Sequence, residues 1–115
     1  MTVIKGYSFG VVSVDGSKYE RDIIIYPDRI QSDWWRREGH KLQIEDIGDV
    51  LANPPEVFVV GLGDQARMQV DPRVAEELKK RGVELFAAPT KQACDKFNKL
   101  AEEGKRVIAA LHLTC

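Results

Sequence analysis

Hydrophobic and polar positions divide the chain into a β-rich first third and a longer part in which strands and helices alternate. The runs 9–14 and 18–26 are rich in β-branched and aromatic residues. They flank Asp15-Gly16, a dipeptide that tolerates the positive φ angles of a tight turn. We therefore predict an antiparallel hairpin from these two runs, with a short third strand at residues 29–32.

Weaker signals follow in the middle of the chain. Residues 33–40 have neither a helical nor a strand period and are predicted to form a loop. Apolar spacing over residues 44–51 predicts a short helix, which Pro54-Pro55 ends because proline lacks the backbone donor. Residues 56–60 are mostly apolar without alternation, which is typical of a strand covered on both faces.

Two longer helices are marked by the residues at their ends. Asp71-Pro72 combines an N-cap side chain with a proline at the first helical position, and Gly82 is a matching stop. Thr90 is predicted to cap the second helix, which Gly104 closes. The predicted buried stripe of that second helix is Ala93, Phe97, Leu100 and Ala101.

From residue 56 onward the order is strand, helix, strand, helix, strand, with the later strands at 83–87 and 107–113. This order predicts an α/β fold with a largely parallel sheet covered by helices. The N-terminal hairpin must extend that sheet or form a layer beside it. With 115 residues, we expect one domain over 1–115.

Composition narrows the class of protein. Lys and Arg number 17 against 18 Asp and Glu, a net charge of −1, so nucleic acid is not an expected partner. The longest apolar runs have five residues, against the roughly 20 that a membrane helix needs, and the N-terminus lacks a signal peptide's apolar core. We expect a soluble, cytoplasmic protein without a membrane span.

The sequence Gly61-Leu62-Gly63-Asp64-Gln65-Ala66 matches a dinucleotide-binding pattern after a strand, but only weakly, because the next helix begins several residues later. Its position is more informative. Ligands of open α/β sheets bind beyond the carboxyl ends of parallel strands, where this loop and Thr90 should meet. If the chain has a pocket, we expect it at this edge.

One segment concentrates aromatic surface and positive charge, and it contains Trp34, Trp35, Arg36, Arg37, His40 and Lys41. Indole faces and guanidinium groups suit anion capture or a protein interface. Alternatively, one tryptophan fills the core while the arginines stay solvated.

Two residues near the end of the chain, His112 and Cys115, suggest a Cys-His nucleophilic pair. Residues three apart on a strand point to opposite faces, so a buried histidine and a small buried thiol are favoured instead. We predict that Cys94 fills the core and that Asn98 is a hydrogen-bonding residue on a helix flank. No ligand set for a metal and no cofactor motif above chance is present.

Together these residues resemble a known family. The pattern comprises Phe9-Gly10, Tyr19, Asp22, Trp35-Arg36, Val59-Val60-Gly61, Gly63, Val70, Pro72, Leu78-Lys79-Lys80, Gly82, Thr90, Ala93, Asn98, Leu100, Gly104 and His112-x-Thr114-Cys115. It resembles the small Mth-type domain family of unknown function, which includes the adipogenesis-associated Mth-domain protein and the mitochondrial complex I assembly factor three. The resemblance implies a three-layer fold: a central mixed, mostly parallel sheet, helices and an N-terminal β-hairpin layer. It does not imply an activity, and His40 departs from the spacing expected for the adipogenesis-associated branch.

The leading functional hypothesis is a non-catalytic binding, assembly or regulatory domain. It would hold a protein partner or a small anionic ligand at the strand-end edge. The candidate binding residues are Trp35, Arg36, Gly61, Gly63, Thr90, Asn98 and His112. The alternative is an enzyme that acts on a small metabolite through His112 and Cys115, and the choice between a monomer and a homo-oligomer stays open.

Overall fold

The computed structural model describes residues 2–115, which form three sheets and three α-helices. The strands are β1 Ile4–Ser8, β2 Val11–Val14, β3 Ser17–Tyr19, β4 Ile23–Ile25, β5 Ile30–Gln31, β6 Lys41–Leu42, β7 Val57–Leu62, β8 Gln69–Val70, β9 Glu84–Ala88 and β10 Val107–His112. The helices are α1 Gly48–Ala52, α2 Pro72–Lys80 and α3 Thr90–Glu102. None of the helices in this described part is long and apolar enough to cross a membrane.

A five-stranded mixed sheet lies at the centre, in the order β5-β4-β10-β7-β9. Strand β7 pairs in parallel with both β10 and β9, whereas β4 runs antiparallel to β10 and β5 antiparallel to β4. The predicted α/β class and the parallel pairing of the strands near residues 56–60 and 83–87 are confirmed. Since β7, β9 and β10 are parallel, their carboxyl ends share one edge of the sheet.

Both faces of the central sheet are covered. Along β7, Val57 and Val59 pack into one apolar cluster with α3 and the N-terminal strands, while Phe58 and Val60 pack into a second cluster with α1 and α2. The continuous apolar run at residues 56–60 is explained by this two-sided burial, because alternate side chains of a strand point to opposite faces.

The N-terminal layer is a separate antiparallel sheet of β1, β2 and β3. The predicted turn is confirmed, with Asp15 at φ 49° and Gly16 at φ 90° between β2 and β3. Strand β1 was not predicted, because its positions alternate too weakly to give a strand signal. It joins the sheet through the turn at Phe9-Gly10.

The prediction of one strand over residues 18–26 is wrong. Strand β3 ends at Tyr19 in the N-terminal sheet, and β4 begins at Ile23 in the central sheet. The chain passes from one layer to the other between them, where Asp22 bonds to the backbone of Leu113 at the end of β10. Local composition did not reveal this change of layer, since both halves have high β propensity.

The helices predicted after Asp71 and around residues 91–103 are both present, and the capped start of the first is confirmed. Asp71 caps α2 by accepting a hydrogen bond from the Arg73 amide at 2.9 Å, and Gly82 follows the helix with φ 73°. The predicted helix over residues 44–51 is a 3-10 turn, Ile44–Ile47, followed by the single-turn α1.

Two short strands that the sequence did not predict, β6 and β8, form a parallel pair. The Gln69 amide donates to the His40 carbonyl at 2.8 Å, and the Asp71 amide donates to the Leu42 carbonyl at 2.9 Å. The loop that contains the tryptophans is thereby attached to the segment between β7 and α2.

Gly61 is needed where α3 approaches β7. A Cβ atom on Gly61 would lie 2.9 Å from Thr90 Oγ1 and 3.1 Å from Leu111 Cδ2. We expect Gly61→Ala to lower the free energy of unfolding by about 1–3 kcal/mol, because an added methyl group must displace packed atoms. Urea denaturation with a constant m-value measures this change.

Gly48→Ala is the matched control for that substitution. Gly48 has helical angles, φ −54° and ψ −45°, and a Cβ there would meet nothing within 4 Å. We expect it to leave stability unchanged or to raise it by up to about 1 kcal/mol. Equal effects of the two substitutions would contradict the close approach at Gly61.

Candidate functional site

The strand-end edge brings together residues that are far apart in the sequence. Strands β7, β9 and β10 end there at Leu62, Ala88 and His112. Because β4 is antiparallel to β10, with Ile23 opposite Leu111, the residue before β4, Asp22, lies at the same edge. Strands β7, β9 and β10 thus share the predicted edge, which also contains the carboxylate of Asp22.

Asp22 is the centre of a buried polar cluster. Its Oδ2 atom lies 2.8 Å from Arg36 Nη2 and 2.8 Å from His112 Nδ1, while its Oδ1 accepts from the Leu113 amide at 2.8 Å. The side chains of Asp22, Arg36 and His112 are only 15%, 5% and 8% exposed. We call these three side chains the Asp22 cluster.

The contacts of Asp22 fix the chemistry of its partners. An ionised carboxylate only accepts, so the proton of a neutral His112 lies on Nδ1 and Nε2 carries the lone pair. Burial would raise the pKa of the Asp22 carboxyl, but hydrogen bonds from His112 and Leu113, joined by Arg36, hold it below its usual value. Asp22 is therefore a stable negative charge at neutral pH.

Arg36 makes most of its contacts within the chain, although its Nη1 atom is buried without a hydrogen-bond partner among residues 2–115. Its Nε and Nη2 atoms donate to the Gly39 carbonyl at 3.1 and 2.9 Å, and its guanidinium lies 4.7 Å from the ring centroid of Trp34. The interpretation in which one tryptophan fills the core is confirmed for Trp34, which is 5% exposed and donates to the Asp46 carbonyl. The accompanying expectation that the arginines stay solvated is wrong for Arg36, because Asp22 compensates its buried charge.

Trp35, unlike its neighbours Trp34 and Arg36, has a side chain that is exposed to solvent. It is 78% exposed and, with Phe9 at 61%, is one of the two large hydrophobic side chains that are exposed among residues 2–115. It borders a groove of about 330 Å³, whose lining includes Glu20, Asp33, Trp34, Trp35, Leu113 and Thr114. We call this depression the strand-end groove.

The predicted residues Gly61, Gly63 and Thr90 lie at the same edge but are packed against the chain itself. Thr90 Oγ1 accepts from the Gly63 amide at 2.9 Å and donates to the His112 carbonyl. Thr90 is wholly buried, and the prediction that its side chain caps α3 is wrong, because that side chain bridges β10 to the loop after β7.

Most amides of the glycine loop are already engaged within the chain, and Gly63 donates to Thr90 Oγ1. The Asp64 amide donates to the Thr114 carbonyl, and the Arg67 amide donates to the Cys115 carbonyl at 3.0 Å. Gly63, with φ 107°, leaves no room for a Cβ beside Cys115 and His112. The chain's own residues 113–115 therefore occupy the place where a pyrophosphate approaches in a dinucleotide-binding loop.

Asn98 lies away from this edge, two turns or about 12 Å along α3 from Thr90. Its side chain accepts from the Ile4 amide at 2.9 Å and donates to the Ile4 carbonyl at 2.8 Å. Asn98 is thus the hydrogen-bonding residue that was predicted, and its partner is the backbone of Ile4 in β1. The structure does not bring Asn98 together with the other candidate binding residues.

The suggested pair of His112 and Cys115 is not formed. The prediction placed the two side chains on opposite faces of one strand, but β10 ends at His112 and Cys115 lies beyond it. Cys115 Sγ instead lies 3.8 Å from Nε2 of His40, whose ring centroid is 5.8 Å from that of His112. Among residues 2–115, no group of three His, Cys, Asp or Glu side chains is placed to hold a metal ion.

Comparison with known proteins identifies relatives over nearly the whole chain. A family model described as "Protein of unknown function (DUF498/DUF598)" matches residues 4–112. A Danio rerio protein named NADH dehydrogenase (ubiquinone) 1 alpha subcomplex assembly factor 3 is 31% identical over 96% of this chain and 63% of its own length. The chain thus spans about three fifths of this curated relative.

Solved structures share the fold. A conserved hypothetical protein from Pyrococcus horikoshii is 32% identical with a TM-score of 0.76, covering 97% of this chain and 98% of that one. A Mth938-like domain from Bordetella pertussis is 23% identical with a TM-score of 0.79, covering 97% and 85%, and it supports the fold alone. The predicted resemblance is confirmed: the chain belongs to the DUF498/DUF598 family of unknown function.

Proposed function

We propose that this chain is a protein-binding domain of the assembly type, whose partner docks on the strand-end groove and contacts Trp35. The observation that carries the proposal is the contrast between Trp35, 78% exposed, and its neighbours Trp34 and Arg36, whose side chains are buried. Isolated exposed apolar side chains are common, but a tryptophan beside a groove has the character of an interface hot spot.

The loop that carries Trp35 is held in place before any partner arrives. Arg36 bonds to Asp22 on one side and to Gly39 on the other, and the Trp34 amide donates to the Asp22 carbonyl at 2.8 Å. A loop that is already ordered loses less conformational entropy on binding, so more of the contact energy of Trp35 appears as affinity.

A protein partner fits these side chains better than a small anion. The positive charge of Arg36 is matched by Asp22 at 2.8 Å, and its side chain is only 5% exposed. Its unpartnered nitrogen, Nη1, is buried, so an anion could reach it only after the loop had opened and Arg36 had been exposed to solvent. The name of the Danio rerio relative, an assembly factor, also supports a protein as the partner.

The other candidate residues have an indirect role in this proposal. Gly61, Gly63 and Thr90 position the end of β10, and His112 belongs to the cluster beneath the loop. Asn98 stabilises the N-terminal sheet through β1. The cytoplasmic location and the single domain remain predictions, and the choice between a monomer and a homo-oligomer stays open.

The Asp22 cluster predicts an acid-sensitive contribution to stability. The pKa of Asp22 is lowered in the folded chain, so its ionised form stabilises the fold above the unfolded pKa, about 4. That contribution is lost as the pH falls from about 4 through the lower folded pKa. We expect Asp22→Asn to destabilise the chain at neutral pH by roughly 1–3 kcal/mol and the difference to shrink in that acid range.

Urea unfolding of both proteins from neutral pH to about pH 2 measures the effect. Asp28→Asn is the control, because the side chain of Asp28 is 79% exposed and its charge is already solvated. A stability difference between wild type and Asp22→Asn that stays constant down to pH 2 would argue against an ionised, hydrogen-bonded Asp22.

The functional prediction concerns Trp35. A photo-crosslinking amino acid at position 35 should capture a discrete protein in cells, whereas the same group at the exposed Glu102 on α3 should not. With that partner purified, Trp35→Ala should weaken binding by about thirtyfold while changing stability by less than about 0.5 kcal/mol. Calorimetric titration measures the first effect and urea unfolding the second.

Arg37→Ala, at an exposed position of the same loop, is the matched control and should leave affinity within about twofold. Unchanged binding by Trp35→Ala would sink the proposed surface. A parallel NMR titration with inorganic phosphate tests the anion alternative, and saturable amide shifts at Arg36 and His112 would favour it over a protein partner.

A further inference from the structure

Cys115 and His40 form a thiol–imidazole pair beside the strand-end groove. The sulfur lies 3.8 Å from His40 Nε2, and Cys115 is only partly buried, so small molecules can reach it. The Arg67 amide bonds to the Cys115 carbonyl at 3.0 Å, and Thr114 bonds to the Asp64 amide. These two hydrogen bonds hold the backbone of Thr114 and Cys115 and so keep the thiol near His40.

A second observation at the same place involves His112. Its Nε2 atom is buried without a hydrogen-bond partner among the described residues, and its side chain is 8% exposed. Nδ1 faces Asp22, so the opposite edge of the ring, formed by Nε2 and Cδ2, faces away from that carboxylate. Cδ2 lies 2.9 Å from where a Cβ on Gly63 would stand, beside the backbone of Cys115.

This orientation places an unpartnered ring nitrogen on the Cys115 side of the edge, and the ring of His40 lies 5.8 Å away between centroids. A buried polar atom without a partner is costly, and such atoms mark places where a ligand or a chemical step is accommodated. Two imidazoles and a thiol thus meet at a point where the fold leaves one nitrogen unsatisfied.

We propose that Cys115 is a reactive thiol site that forms mixed disulfides with small disulfides of the glutathione class. His40 Nε2 accepts the thiol proton as the sulfur attacks one sulfur of the small disulfide. The Cys115 sulfur then bonds to that sulfur, the original S–S bond breaks, and the leaving thiolate takes the proton back from His40.

The chain contains its own reference thiol. Cys94 is 3% exposed on α3, and burial, together with the charge of Asp95, raises the pKa of its thiol to about 12. A protonated, inaccessible thiol is inert toward disulfides. Cys94 therefore serves as an unreactive internal control, and dependence of the rate on His40 is what distinguishes Cys115 from an ordinary exposed cysteine.

The test is the rate at which the reduced, folded chain reacts with oxidised glutathione at neutral pH, followed by intact mass. We expect one adduct, abolished by Cys115→Ser and unaffected by Cys94→Ala. We expect His40→Gln, at an exposed position, to slow the reaction by about tenfold, and Lys41→Gln, which removes a neighbouring positive charge but keeps the imidazole, to change it by less than twofold.

Denaturation in urea provides the final comparison, since unfolding separates Cys115 from His40. The difference between wild type and His40→Gln should vanish there, and both cysteines should then react. The proposal is overturned if His40→Gln reacts as fast as wild type in the folded state. It is equally overturned if Lys41→Gln slows the reaction as much as His40→Gln, or if the adduct forms on Cys94.

Discussion

The carboxylate of Asp22 accepts hydrogen bonds from three parts of the chain at once: the loop at Arg36, the side chain of His112 and the backbone of Leu113. It stands where the chain leaves the N-terminal sheet and enters the central one. Both layers, the tryptophan loop and the end of β10 are thereby joined at one buried charge. Removing it would leave a guanidinium without a counter-charge in a desolvated place.

The exposure of Trp35 follows from this constraint. Arg36 turns inward to reach Asp22, and its guanidinium stacks on Trp34, which is buried against the second apolar cluster. The position between them then faces solvent. The surface proposed for a partner is thus a consequence of internal charge pairing, and its geometry is as rigid as the ion pair that sets it.

Close packing around Gly61, Gly63 and Thr90 stabilises the strand-end edge on the side of β7 and α3. Gly61 and Gly63 have no room for a side chain, and Thr90 fills the space between them with a hydroxyl that both donates and accepts. Residues 113–115 lie across this surface, so the glycine loop supports the edge instead of binding a phosphate. The same arrangement fixes Cys115 beside His40.

Local signals in the sequence determined the turn at Asp15-Gly16, the capped start at Asp71 and the two-sided burial of β7, because each depends on residues within a few positions of one another. The contacts of the edge depend on residues far apart: Asp22 and His112 are separated by 90 positions, and His40 and Cys115 by 75. No periodicity or cap encodes such pairs. Which tryptophan is buried, which imidazole meets the thiol and where Arg36 finds its counter-charge were decided only when the two sheets and the loop packed together, since that packing sets which charges are desolvated and must be paired.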